Sequence, residues 1–389
     1  MFATLKSYMA FSSVDTIIDF LEPITPGVID NNDDGFNNKQ LGNYIDVYVN
    51  SFPDVANADL VIIGCSETRG AGVHKEDHRG INAIRTHFYS LYHWHTEVKV
   101  ADIGNIKTGA SLEDTYSALQ QVLSELSSLK KKVVILGGSH DIMLAQYNVF
   151  AAQQKIIEAT AVDAFLDMNL ESRLPAESFL LKMFTGEPNY LKHYNHIGFQ
   201  SYFVHPAMLE TIDKLRFDCY RVGVVKEHME TMEPVIRNAH VFAFDITAIQ
   251  HSHAPANRIT PNGFNGEEAC MLMQYAGMSG LANSIGIYGY NAAQDVSDLT
   301  AKQVSHMLWY LMDGIQKGKN EAPLEQREDF NEFKLMFADF ETLFLQSKKT
   351  RRWWMQLPDK TFVACSGNDY TTALNNEIPE RWLRAAERS

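Results

Sequence analysis

Short apolar runs rich in β-branched residues recur along this chain between amphipathic stretches. They fall at residues 59–64, 97–102, 132–137, 159–163, 195–199, 218–224, 239–245 and 283–290. Continuous apolar character marks strands buried on both faces, as in a parallel sheet covered by helices. The clearest helical segment, 111–129 (SLEDTYSALQQVLSELSSL), opens on Ser111 with Asp114 three residues later, a variant of the capping box. Strand alternating with helix predicts a three-layer α/β/α sandwich around a mostly parallel sheet of about eight strands. No fixed-period repeat is present, and NNDDGFNN in the opening at 23–40 is turn chemistry. The alternation stops near Gly318, where KGKNEAPLEQREDF leads to an expected helix and then to QSKKTRRWWMQLPDKTF. The chain therefore divides into an α/β domain, 1–318, and a C-terminal extension, 319–389, packed on it. Trp353 and Trp354 are the expected anchors of that extension, with the cations of KKTRRWW at the rim.

Composition narrows the partners. Lysine and arginine number 34 against 48 aspartate and glutamate, and the formal charge of −14 works against a nucleic-acid sleeve or an anionic membrane. KKTRRWW is a lone basic-aromatic cluster in acidic surroundings, so no nucleic-acid partner is expected. No run approaches the roughly 18 apolar residues of a membrane span, and the first residues lack the apolar core of a signal peptide. Cys65, Cys219, Cys270 and Cys365 are scattered without a CxxC pair, which fits neither a zinc ribbon nor a disulfide scaffold. A cytoplasmic protein with a small-molecule or protein partner is expected.

In open α/β sheets functional side chains gather at the carboxyl ends of the strands. Three expected strands end in polar clusters. VVILGGSHD turns at Gly137 and Gly138 and places His140 at a helix start; AVDAFLDMN flanks Phe165 with Asp163 and Asp167; VFAFDITAIQHSHAPA sets Asp245 two residues before Thr247. One imidazole and three carboxylates suit a hard divalent ion such as manganese. Each carboxylate alone reads equally as a helix N-cap, so the constellation carries the inference. Other patterns carry none. His93 and His95 lack a third ligand, HKEDH at 74–78 is not HExxH, and no lysine follows Gly137-Gly138 at phosphate-loop spacing. Cys65 closes a strand and reads as a core thiol.

In order along the chain, GGSHD, DAFLD, and AFDIT followed by HAPA resemble G-G-D-H-S, D-A-H-x-D, and S-x-D-x-D followed by A-P-G of the ureohydrolase family, which contains arginase, agmatinase and formimidoylglutamase. ETRGAGVHKEDHRGINAIR resembles the family's substrate-mouth loop and following helix, and ADIGN at 101–105 its D-x-G-D. FDITAIQHSHAPA is closer in style to formimidoylglutamase than to arginase. The resemblance implies an arginase-like fold, a homo-oligomer and two manganese ions. Its first-ion ligands fall on His140, Asp163, Asp167 and Asp245, all present. Its second-ion positions fall on Phe165 and Thr247, where an aromatic ring and a neutral hydroxyl replace a histidine and a carboxylate. GIYGYNAAQD resembles E-x-N-P-x-x-D, which sets Gly289 where a glutamate holds the amidino group and Ala292 at the proline, while Ser139 replaces an aspartate.

Family hydrolysis relies on a hydroxide bridging two ions. The replacements therefore imply a divergent ureohydrolase homologue with one divalent ion, manganese foremost, or none. Hydrolysis of amidino C–N bonds would be lost or strongly weakened, and a binding or scaffold role kept for a small amidino or amino-acid-like ligand. One alternative is an active formimidoylglutamase-type hydrolase using one metal or a rearranged site. His251 or His253 would then be replacement ligands, and Arg173 and Ser178 would contact substrate. A second alternative is an interaction protein that meets its partner through the extension. A vestigial site predicts that Phe165 packs among apolar neighbours.

Overall fold

The computed structural model describes residues 16–29, 35–73, 78–337 and 339–388. Residues 1–15, where the signal-sequence reading falls, residues 30–34 of the turn-rich opening and residues 74–77 of HKEDH lie outside them. Ten strands form the main sheet: β1 (Leu21–Glu22), β2 (Ile45–Val47), β3 (Leu60–Gly64), β4 (Val100–Ile106), β5 (Lys132–Leu136), β6 (Ile157–Val162), β7 (Leu191–Phe199), β8 (Asp218–Arg221), β9 (Val241–Asp245) and β10 (Ser284–Tyr288). Their order is β1-β4-β3-β5-β10-β9-β6-β7-β8, with β2 also on β4. β1 pairs antiparallel and the other pairings are parallel. The two strands beyond the expected eight span two and three residues, too short to show a pattern in sequence.

Alternation along each strand divides the core into two layers. Ile62, Val134, Phe242 and Ile285 face one layer, and Val61, Ile63, Val133 and Ala161 the other. Helices Arg79–Tyr89, Gly266–Met278 and Leu299–Gly318 cover the first, and Leu112–Ser128 and Ile142–Ala152 the second. The capping box at Ser111 forms, with the Asp114 N–H donating to Ser111 Oγ at 3.1 Å and the Ser111 N–H to Asp114 Oδ2 at 2.9 Å.

Several strand boundaries differ from the sequence reading, and β7 starts at Leu191, four residues earlier than expected. Residues 222–224, expected as strand, begin the helix Val222–Glu227. β4 starts later than expected and continues through Asp102 and Asn105 to Ile106. It carries these polar residues because Arg85 pairs with them. The Arg85 Nε and Nη2 donate to the two Asp102 oxygens at 2.8 and 2.9 Å, and Nη1 donates to Asn105 Oδ1 at 2.6 Å. The Tyr89 hydroxyl donates to Asp102 Oδ2 at 2.8 Å. INAIR and ADIGN are thus joined inside the protein, where a buried ion pair persists because each partner is satisfied.

Beyond Gly318 a second sheet forms from β11 (Phe330–Phe337), β12 (Phe340–Ser347), β13 (Trp353–Gln356) and β14 (Phe362–Cys365), all antiparallel, followed by helices Gly367–Leu374 and Glu380–Arg388. The helix expected after KGKNEAPLEQREDF is therefore a β-hairpin. Phe333, Leu335 and Phe337 at every second position face the extension's own core, a period of two rather than 3.6. The rim reading of the cations also needs correction. Arg351 is exposed, but Arg352 is buried: its Nε donates to Glu321 Oε2 at 2.8 Å, and its Nη1 donates to the Met278 carbonyl at 3.1 Å and lies 3.5 Å from Glu233 Oε1. Arg237 donates to Glu233 at 2.9 Å and to the Trp353 carbonyl at 2.8 Å, and stacks over Trp354 at 4.4 Å. Two carboxylates and an aromatic face offset the desolvation of these guanidinium groups.

Arg352→Met would leave Glu321 and Glu233 buried with less compensation. It is expected to cost roughly 3–5 kcal/mol, read from the denaturant midpoint of the full chain; a loss under about 1 kcal/mol, the size of an exposed pair, would contradict this account.

Candidate metal centre

β5, β10, β9 and β6 are successive neighbours in the sheet, so the loops at their carboxyl ends lie side by side. After β5 the chain turns at Gly137 and Gly138, with φ of +87° and +78°. A Cβ on Gly138 would stand 2.7 Å from the Glu67 carbonyl, so this turn needs glycine. It delivers His140 just ahead of helix Ile142–Ala152, with its ring edge-on to Phe179 at 4.9 Å. After β6, Asp163 accepts the Phe165 N–H at 3.1 Å, and after β9, Asp245 accepts the Thr247 N–H at 2.8 Å. Each of these carboxylates therefore orders its own loop while presenting oxygen to the site.

His140 Nδ1 lies 2.9 Å from Asp163 Oδ2 and 2.9 Å from Asp167 Oδ2. His140, Asp163 and Asp245 each offer a ligand atom within 4.8 Å of the others, all three buried. Burial and the Asp163 charge push Asp245 up to about 6 and Asp167 well above the usual carboxylate range. For Asp163, burial acts the same way but is outweighed by His140 and Thr247, so it stays low. For His140, burial favours the neutral ring, and the two hydrogen-bonded carboxylates more than reverse that. One imidazolium does not balance three buried carboxylates, and the shortage of positive charge is what a divalent ion would supply. The donor set is also suitable: two donors about 2.1 Å from one ion, at right angles, stand about 3.0 Å apart, close to the separations around Nδ1.

The other positions singled out from sequence are placed as follows. Thr247 Oγ1 donates to Asp163 Oδ1 at 2.5 Å. Phe165 is half-buried and stacks on Phe203, with centroids 4.7 Å apart and planes at 18°. Gly289 has φ +81°, and a Cβ there would meet both Asp245 carboxylate oxygens at 2.8 Å. Any side chain at 289 is strained by this φ and requires the Asp245 carboxylate to shift. Ser139 is buried, its N–H donating to the Glu67 carbonyl at 2.9 Å, and Ala292 opens a short turn, Ala292–Gln294. His251 and His253 are exposed and outside the cluster; His251 Nδ1 lies 2.7 Å from the Asn257 carbonyl, and His253 Nδ1 stands by Gly266. Arg173 is exposed, and the Ser178 hydroxyl donates to the Leu174 carbonyl at 3.1 Å.

Two residues at the site escape a reading of the sequence. Asp141 is fully buried, with no hydrogen-bond partner for either carboxylate oxygen among the described residues, and burial together with Glu67 pushes it up to about 7. His196, inside β7, donates from Nε2 to the Asp163 carbonyl at 3.1 Å and accepts the Tyr194 hydroxyl at Nδ1 at 2.9 Å. This fixes its neutral tautomer. A histidine in NHIGF, the last part of β7 before the sheet's carboxyl edge, is the available signal.

Burial pushes His196 down to about 4, outweighing the Asp163 charge. The folded value lies below the unfolded one of about 6.5, so its contribution is complete above pH 6.5 and is lost as pH falls toward 4. The loss is expected to be on the order of 3 kcal/mol. Denaturant titrations at pH 7.5 and 4.5 should show a smaller pH effect for His196→Gln than for the parent chain; equal pH effects would contradict the assignment.

The order of strands and the buried histidine-aspartate cluster at their carboxyl edge define an arginase-like α/β/α sandwich. Residues 58–313 match the arginase family, and the chain belongs to it. A formimidoylglutamase of Lysinibacillus sphaericus is 28% identical over 142 residues, 35% of this chain and 44% of that protein, so the match spans less than half of the relative. A Trypanosoma cruzi formiminoglutamase solved with Mn2+ superimposes with a TM-score of 0.60 at 16% identity, covering 67% of this chain and 94% of the other. A Bacillus subtilis formimidoylglutamase gives 0.63 at 16%, covering 71% and 92%, and the Streptomyces clavuligerus proclavaminate amidino hydrolase 0.57 at 17%, covering 67% and 93%. At these identities the structural likeness establishes the fold.

Proposed function

We propose that this arginase-family chain holds one divalent ion, manganese, between His140, Asp163, Asp167 and Asp245, and that two-ion hydrolysis of amidino C–N bonds is lost or strongly weakened in it. What remains is binding of a small amidino or amino-acid-like ligand. The observation that carries this reading is the 2.5 Å hydrogen bond from Thr247 to Asp163 Oδ1, which commits that oxygen to a neutral hydroxyl. Phe165, stacked on Phe203, offers no donor to a second ion. The T. cruzi formiminoglutamase, solved with Mn2+, supports the choice of metal. When bound, the ion would neutralise the clustered carboxylates and polarise a ligand oxygen. Asp163 and Asp167 hold the His140 ring by Nδ1, and His140, Asp163 and Asp245 are buried. The free thiols of Cys65, Cys219, Cys270 and Cys365 support a cytoplasmic setting.

A second reading, a formimidoylglutamase-type hydrolase working with one ion, is favoured by the retention of the His140-Asp163-Asp245 cluster and by the L. sphaericus relative. Metal stoichiometry after purification with manganese separates the two when paired with release assays on N-formimidoyl-glutamate, arginine and agmatine. One ion per chain and no release is the expected result. One ion with turnover supports the second reading, and two ions with turnover would overturn the first.

Phe165→His combined with Thr247→Asp is expected to raise the stoichiometry from one ion to two, measured by calorimetric titration with Mn2+. No gain of metal would sink the assignment of these two positions to the second ion.

A further inference from the structure

Strand β11 is an edge of the extension's sheet. It pairs with β12 over all eight of its residues and with no other strand among the described residues. It lies beyond residues 58–313 and so outside the part of the chain that matches the family. Long unpaired edges template pairing with another chain, and proteins blunt them with proline, bulges, short length or charged side chains, whose effect depends on the charges they face. β11 has no proline, and its register with β12 is unbroken. Glu332, Lys334 and Met336 are exposed along one face. On the other, Phe333 and Leu335 are only partly buried against Phe337, Phe344 and Met355, and Phe333 lies 5.2 Å from the Tyr370 ring.

We propose that β11 pairs antiparallel with β11 of a second copy of this chain, about a two-fold axis through Phe333. Directly opposed residues in a self-pair have numbers that sum to a constant, and that sum must be even to keep exposed side chains facing exposed ones. Centring on Phe333 sets Glu332 opposite the second copy's Lys334, and Lys334 opposite its Glu332, two opposite-charge pairs on the exposed face. The neighbouring even registers oppose Lys334 to Lys334 or Glu332 to Glu332, which is destabilising. Charge therefore selects one register. In that register Phe333 meets its own counterpart, and the partly buried aromatic edge becomes continuous across the two sheets. Glu332 also has Arg327 at 3.8 Å, an exposed contact too weak to hold it back.

The test uses the full chain and two exposed positions whose change leaves the core intact, checked by far-UV circular dichroism. Sedimentation equilibrium of the parent chain and of Glu332→Lys and Lys334→Glu is expected to give a twofold lower assembly mass for each single variant. An equimolar mixture of the two variants is expected to recover the parent mass, because this register opposes both lysines of one variant to both glutamates of the other. A parent chain already at the lower mass, single variants that keep the parent mass, or a mixture that fails to recover it would each overturn the proposal.

Discussion

Three aspartates and one histidine share a pocket from which water is largely withdrawn, and the carboxyl edge of the sheet is organised by that crowding. Like charges at this separation repel, and burial penalises each ionised form. The pocket answers with one strong pair, Asp163 with His140, while Asp245 and Asp167 are pushed toward holding their protons. Glycines at 137, 138 and 289 let the surrounding chain approach closely. The same aspartates that crowd the pocket cap their own loops, so its geometry and the local backbone stabilise each other.

Buried charge elsewhere in the molecule is treated differently. Arg85 and Asp102 meet in two parallel bonds with Tyr89 and Asn105 completing the shell, and Arg352 and Arg237 share Glu321 and Glu233 beneath Trp354. In those networks cations and carboxylates match and the polar atoms find partners, the condition under which buried ions serve structure. At the sheet edge carboxylates outnumber cations. That imbalance, rather than burial or polarity alone, distinguishes a site from a latch.

Much of the fold is legible in sequence because strands buried on both faces are apolar without interruption, and so is the chemistry of the site, because its residues follow such strands directly. Sequence falls short where the deciding information is spatial. The hairpin of β11 and β12 reads as a helix although Phe333, Leu335 and Phe337 repeat every second residue; the charged lead-in masks the period of two. Arg352 reads as a rim cation because its two carboxylate partners, Glu321 and Glu233, are remote in sequence. His196 sits among the other polar residues of β7 and Asp141 beside a more conspicuous histidine, and neither has a motif of its own. Gly289 is recognisable as a missing side chain, but its left-handed φ and its approach to Asp245 belong to three-dimensional geometry.

The close approach of Gly289 to Asp245 couples two neighbouring strand ends. With no side chain at 289, the backbone occupies a left-handed conformation that other residues adopt only at a cost of roughly 1–2 kcal/mol, and the volume a side chain needs is filled by the Asp245 carboxylate. Any side chain introduced there meets the Asp245 carboxylate first. A side chain at 289 and a displaced Asp245 carboxylate therefore have to come together, so the conformation of one residue sets what the other can hold.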